Sequence, residues 1–220
     1  MKSTRTSTKS RLSKETILTW YMNDILEGND PKNVYLFSRW HQIKESDFYK
    51  FFNSFEGIEN HFFELIFSKT LDTLFKSANY KAYSSKEQLL SCYFTFFGNL
   101  AANRSFVLYI LSGNKLNHFR KLKNLHERFG EYIDTLDLDT IDFKHDKVNK
   151  IQRKAINEAA WFQLVSILKF WLQDESADFE KTDIFIEKSV TAGFDLINTQ
   201  PLKSLTDLGK FLYKELNPVG

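Results

Sequence analysis

Apolar residues recur along this chain three and four apart, the period of a helix with one buried face. Ile17, Leu18, Tyr21 and Ile25 make the first such stripe. Ser13 stands before it as a helix cap, and Glu15 suits the positive end of the first turn. Gly28-Asn29-Asp30-Pro31 closes it, because Gly takes the left-handed cap and Pro cannot continue a helix. Two short helices are expected next, at about 33–41 and 46–52. Ser54 then caps a long helix reaching to about 78, with Ile58, Phe62, Leu65, Ile66 and Leu74 facing inward. Further helices are predicted over 86–102, 103–112, 115–136, 147–174, 178–199 and 203–214. The segment 137–146 is acidic and aperiodic and reads as a loop. No strand alternation and no internal repeat are evident.

The last long helices carry more apolar surface than one buried face requires. From Ala159 to Leu172 apolar groups stand on nearly every side. The helix at 178–199 has two stripes: Ile186, Val190, Gly193 and Ile197 in one, Phe185, Ser189, Ala192 and Leu196 in the other. Small residues at 189, 192 and 193 permit close approach. A four-helix interface made by this pair in each of two chains accounts for both patterns. The expected interface residues are Trp161, Val165, Leu168, Leu172, Ile186, Val190, Gly193 and Ile197; the simpler reading is a large monomeric core.

Composition supports the helical reading. Only 8 Gly and 3 Pro occur in 220 residues, too few for a turn-rich all-β fold, while 22 Phe promise large aromatic packing surfaces. The net charge of +2 excludes a polycation. Charge is uneven, though: Lys2, Arg5, Lys9, Arg11 and Lys14 share residues 2–14 with no acid. Such an arm attaches to nucleic acid or another anionic surface, or is simply solvated. A single cysteine, Cys92, excludes an internal disulfide and sits among Tyr93, Phe94, Phe96 and Phe97, as an inert buried thiol would. No window holds the ~18 apolar residues of a membrane span, and no secretory signal is seen. A cytoplasmic protein without stable membrane insertion is expected.

Residues 33–62 carry the most specific signal. Their core runs Phe37-Ser38, Ile43, Phe48-Tyr49, Phe52, Ser54-Phe55-Glu56 and Ile58. That order resembles the DNA-binding head of the TetR family of bacterial regulators: an apolar-small pair, a turn Gly with Val, a Leu-Tyr pair, a Phe, then Ser-Lys-Glu and Leu. The motif-bearing likeness covers about residues 14–66; beyond it the likeness is architectural. It implies an all-α, TetR-like fold. A flexible basic arm (1–13) would precede a three-helix helix-turn-helix head (14–54), and a larger helical body for effector binding and dimerisation would follow (55–220). Two positions depart from the family: Gln42 replaces the turn Gly, and Phe55 replaces the Lys that contacts the DNA backbone. Glu45 and Asp47 also place acids on the face that approaches phosphates.

A helix-turn-helix rests its second helix in the major groove. Phe48 and Phe52 would turn inward with Phe37 and Ile43, leaving Lys44, Glu45, Asp47, Tyr49 and Lys50 outward. The expected DNA-binding residues are Arg11, Lys14, Lys44, Tyr49 and Lys50; the resemblance implies that Tyr49 touches a phosphate. The implied function is a ligand-responsive transcriptional regulator that binds a double-stranded operator as a homodimer. A small, largely apolar effector would enter the body, against Tyr93, Phe94, Phe97, Tyr109, Phe119, Phe129 and Trp161. The alternative is a TetR-fold carrier or adaptor for a hydrophobic ligand such as a lipid, its head no longer binding DNA. The stripe Leu202, Leu205, Leu208 and Leu212 docks on the body or, in that alternative, touches a membrane.

Nothing indicates catalysis. His118 and His126 lack metal-ligand neighbours, and the acids at 134–146 lack the Gly and terminal Glu of a calcium loop. There is no GxGxxG, P-loop or GxSxG motif. No metal, cofactor or enzymatic activity is expected.

Overall fold

The computed structural model describes residues 12–111, 120–138 and 146–198; side chains at 148, 197 and 198 fall outside that description. The arm before residue 12, with Arg11, lies outside it, as do Phe119 and the expected final helix at 203–214. Among the described residues the secondary structure is entirely helical. The helices are α1 (Lys14–Leu26), α2 (Val34–Trp40), α3 (Glu45–Phe48), α4 (Phe55–Lys76), α5 (Ser85–Ala101), α6 (Arg104–Ile110), α7 (Lys123–Thr135), α8 (Asp146–Leu172) and α9 (Glu180–Asn198). They divide into two compact units, one of residues up to 66 with 100–125, the other of 67–99 with the residues from 126 onward.

Local chemistry sets the first unit's helix ends. The Ser13 hydroxyl accepts from the Thr16 N–H at 3.2 Å. Gly28, at φ +78°, turns the chain after α1, and the Asn29 N–H returns to the Asp24 carbonyl at 2.7 Å. The Asn33 carboxamide caps α2 through the Leu36 N–H at 2.9 Å. Gln42, at φ 56°, holds the left-handed turn before α3, so the backbone bend persists without Gly. α3 is shorter than its pattern predicts: regular helix ends at Phe48. The chain then turns, with the Phe52 N–H still bonded to the Phe48 carbonyl at 3.1 Å. Ser54 caps α4 by accepting from the Gly57 N–H at 3.1 Å.

The first core is aromatic. Phe37 meets Phe48 and Phe55 edge-on at 5.7 and 5.8 Å. Tyr21 stacks on Phe55 at 5.1 Å, and Phe62 meets Phe106 at 5.1 Å. Phe55, which carries no charge where the family has Lys, therefore also packs against α1 to α3. A buried polar node lies beside it. Glu59 accepts from the Tyr21 hydroxyl at 3.1 Å and pairs with the Lys121 ammonium at 3.1 Å. Lys121 also donates to the Ile110 carbonyl at 2.7 Å, tying the end of α6 to α4. Burial pushes the Glu59 carboxyl above the usual carboxylate range, although Lys121 and Tyr21 pull it back.

The second unit packs Phe67 against Phe96 and Phe129, at 5.6 and 5.8 Å. Phe97 lies 6.1 Å from Trp171. The hydroxyls of Tyr80 and Tyr132 meet at 2.9 Å. Cys92 is fully buried, and burial pushes its thiol up to about 12, so it is protonated and inert at neutral pH.

Asp174 fastens the turn from α8 to α9. One carboxylate oxygen accepts from the Ser176 N–H (2.9 Å) and hydroxyl (2.6 Å), the other from the Thr182 N–H (2.9 Å) and hydroxyl (2.6 Å). These bonds hold a tight link in which Asp178 and Phe179 adopt φ of 53° and 61°. Burial raises the Asp174 carboxyl, and the four hydrogen bonds more than reverse that, leaving it well below its ordinary range. Asp174→Ala is expected to cost about 2–3 kcal/mol, from a lost cap plus buried Thr182 groups left unpaired. A depressed carboxylate stabilises above its unfolded pKa and loses that contribution only as pH falls through the folded value. The deficit in urea melts should therefore hold from pH 7 to 5 and close only in stronger acid.

Candidate nucleic-acid interface and ligand site

α3 and its flanks present Lys44, Glu45, Ser46, Tyr49 and Lys50 to solvent. Tyr49 is 54% exposed, whereas Phe48, one residue earlier, is fully buried. The inward set is Phe37, Phe48 and Phe52, with Ile43 half-buried. Lys50 is not a free cation: its ammonium pairs with Asp47 at 2.7 Å. The i, i+3 spacing signalled that pairing in the sequence. Lys44, just before α3, is exposed without a side-chain capping bond. The Lys14 ammonium sits 5.8 Å over the Phe52 ring, with its side chain exposed on the same unit. His41 joins α2 to α1 through its ring nitrogen and the Asp24 carboxylate at 2.8 Å, while stacking on Trp20 at 4.6 Å. Tyr35 and Trp40 are exposed on α2 and were not singled out from sequence.

Six of the expected pocket residues lie among the described residues, and their surroundings differ. In the second unit, Tyr93, Phe97, Phe129 and Trp161 are buried and fill one another's space, with Tyr93–Phe129 at 6.0 Å and Phe129–Trp161 at 6.5 Å. Phe94 is half-buried. Tyr109 belongs to the first unit and is 37% exposed. One polar handle lies inside the cluster: the Tyr93 hydroxyl donates to the Gln163 side-chain Oε1 at 2.9 Å. This unit also holds a cleft of about 450 Å³ with Ile133, Leu136, Leu138 and Ile156 among polar Asp134, Gln152, Arg153 and Asn157. Sequence reasoning favoured aromatic positions and passed over these polar ones.

The expected dimer residues differ in burial. Trp161, Leu168, Ile186 and Val190 are buried within the protomer, the last two completely. Val165, Leu172 and Gly193 are half-buried; the Gln163 amide lies close against Gly193 where α8 and α9 pack. The side chain of Ile197 is outside the described residues. Outward apolar surface comes from both helices: Phe162 (74% exposed) and Phe170 (38%) on α8 and Leu196 (62%) on α9, with Phe185 against Phe170 at 5.0 Å.

Three helices, α1 to α3, with a left-handed turn at Gln42 before the third, form an arrangement like a helix-turn-helix. Residues 88–212, more than half of the chain, match the family described as tetracyclin repressor-like, C-terminal domain. The chain belongs to this TetR family of regulators. No curated protein matches the chain. Among the described residues no helix is long and apolar enough to cross a membrane. Among the same residues no group of three or more His, Cys, Asp and Glu is placed to hold a metal.

Proposed function

We propose that this protein is a ligand-responsive transcriptional regulator that binds duplex DNA as a homodimer in the cytoplasm. Its basic arm (1–13) and head (14–54) would engage the operator, and its body (55–220) would pair and take the effector. The observation that carries the reading is the division of labour in and around α3. Phe48 and Phe52 anchor the helix from inside, while Tyr49 and Lys44 stand exposed on the side a duplex would meet. Lys14 and Arg11 would add phosphate contacts, which raise affinity without specifying sequence.

Dimerisation would use the outward surface of Phe162, Phe170, Phe185, Ala192 and Leu196. A small effector would act on the second unit, either by parting the aromatic group around Tyr93 or by filling the neighbouring cleft. It could switch the head only by preferring one conformation over the other; tight binding alone shifts nothing.

Lys44→Ala and Tyr49→Ala should each weaken binding to duplex DNA roughly 5-fold while leaving the helical circular dichroism intact, and Lys44→Ala should reduce the salt slope by about one. Lys50→Ala should matter less, because Asp47 already neutralises that cation. If Lys50→Ala weakens binding more than Lys44→Ala does, the orientation of α3 assumed here is wrong.

A second reading, a hydrophobic-ligand carrier or adaptor without DNA binding, draws support from Phe55, Gln42 and the acids of α3. Lipid recovered from the purified protein, together with no affinity for duplex DNA at low salt, would favour it.

A further inference from the structure

The stripe of α8 that faces its own unit changes character along the helix. Trp161, Leu164, Leu168 and Trp171 recur three and four apart on it, and all are buried. Continued toward the helix start in steps of four, the same stripe carries Asn157, Arg153 and Asn149. These three line the cleft of about 450 Å³ beside α7, together with apolar Ile133, Leu136 and Ile156. That volume lies within the roughly 300–1,000 Å³ of small-molecule sites. An inward stripe that turns polar where it meets open space is fitted to a ligand rather than to the core.

The polar groups of the cleft bear both signs. Asp134 and Asp137 line it from the side of α7. The Asn157 amide nitrogen donates to one Asp134 carboxylate oxygen at 3.2 Å. The Asn157 Oδ1 is buried and has no hydrogen-bond partner, so the site holds an acceptor that lacks its donor. Arg153 forms no ion pair with either acid, nor with any other among the described residues. A purely anionic ligand would face two carboxylates, and a purely cationic one would face the guanidinium. A molecule with one ammonium and one carboxylate suits both, because a guanidinium grips a carboxylate through two parallel N–H donors.

We propose that this cleft binds a small zwitterion with an apolar body, the chemistry shared by apolar amino acids and short apolar peptides. Its carboxylate lies on Arg153. Its ammonium lies among Asp134, Asp137 and the Asn157 Oδ1, and its apolar part rests against Ile133, Leu136 and Ile156. The inference deepens the effector part of the regulator reading, and rests on that reading for what binding does to the head.

Equilibrium dialysis of the full chain, without DNA, tests it with leucine, leucyl-leucine, N-acetylleucine and leucinamide. N-acetylleucine lacks the ammonium and leucinamide lacks the carboxylate. Leucine or leucyl-leucine should bind, and the loss of either charge should weaken binding roughly 10-fold or more. The tighter of the two zwitterions tells a free amino acid from a peptide as the source. Arg153→Gln should weaken the zwitterion roughly 10-fold while leaving leucinamide no weaker. Asp134→Asn combined with Asp137→Asn should weaken the zwitterion and leave N-acetylleucine no weaker. All three substituted side chains are exposed, so the fold should persist, which circular dichroism would verify.

If neither zwitterion binds at millimolar concentration, or if the singly charged analogues bind as well, the proposal is overturned. A variant that weakens every probe alike also overturns it, since the lost group would then support the cleft rather than recognise a charge. The regulator reading is judged separately, by duplex binding without any probe. A chain that takes the zwitterion yet binds no duplex at low salt removes that reading and leaves this site standing.

Discussion

Lys121→Met is expected to destabilise the first unit by about 3–5 kcal/mol at pH 7, the cost typical of leaving one member of a buried ion pair uncompensated. The Glu59 carboxylate is almost fully buried, and Lys121 is the cation that meets it, at 3.1 Å. The same ammonium donates to the Ile110 carbonyl, so the substitution also strips a partner from the end of α6. Met keeps the aliphatic stem and isolates the loss of charge.

The pH dependence has a definite sign. A carboxyl whose folded pKa is raised favours the folded state below its unfolded pKa, and that advantage is lost as pH rises through the folded value. Removing Lys121 raises the folded pKa of Glu59 further. The deficit should therefore be largest at neutral pH and shrink as pH falls toward the unfolded carboxyl value of about 4.3. Adding Glu59→Gln should recover much of the loss at pH 7. Urea melts at pH 7 and 5 provide the measurement, and a deficit independent of pH would mean that Glu59 is not the charge at stake.

Phe162→Glu should break the proposed homodimer without unfolding the chain. Phe162 stands on α8 with three-quarters of its surface exposed, on the face opposite Leu164, Ile167 and Leu168, which are buried. A large exposed ring, with Phe170 exposed on the same helix and Leu196 on α9, is the kind of apolar surface that marks an interface. A carboxylate at its centre would face its symmetry mate across a two-fold axis, like charge against like. Sedimentation should give twice the chain mass for the parent and the chain mass for the variant. Affinity for a two-half-site duplex should fall by about 10²- to 10⁴-fold, because the second head no longer binds as part of the same particle. Trp161→Glu would be the wrong test, since that residue lies in the protomer's own core. A parent that sediments as a monomer would remove the dimer from the account.

The sequence made some features legible because their physics is local. The Ser13 and Ser54 caps and the Gly28 stop each act within four residues, and the left-handed bend at Gln42 was implied by the resemblance, which has a turn Gly there. The inward positions Phe37, Phe48 and Phe52 were also visible, as helical spacing separates them from Tyr49. Other features depend on what another element does. Phe55 reads as a missing charge until Tyr21 and Phe37 are seen against it. Glu59 and Lys121 lie 62 positions apart in the chain, and no periodicity links them.

Both stripes of α9 are apolar at helical spacing, so pattern alone could not tell which is covered. The close approach of Gln163 to Gly193 turns Ile186 and Val190 inward and leaves Leu196 out. The aromatic residues chosen as pocket walls share the ambiguity of every buried ring: one that lines a cavity and one that fills it have the same sequence signature. The cleft beside α7 and α8 went unread because its polar side chains resemble an ordinary solvated surface.

The account stands or falls on the head's affinity for DNA, and one titration reaches it directly. Fluorescence anisotropy of a labelled mixed-sequence duplex should be followed as full-length protein is added, from about 50 to 200 mM salt, where released counterions dominate the free energy. Binding at the lowest salt, with log affinity falling linearly against log salt at a slope of several phosphates, is the predicted result. An anisotropy that stays flat at the lowest salt, with the protein folded and at high concentration, would contradict it.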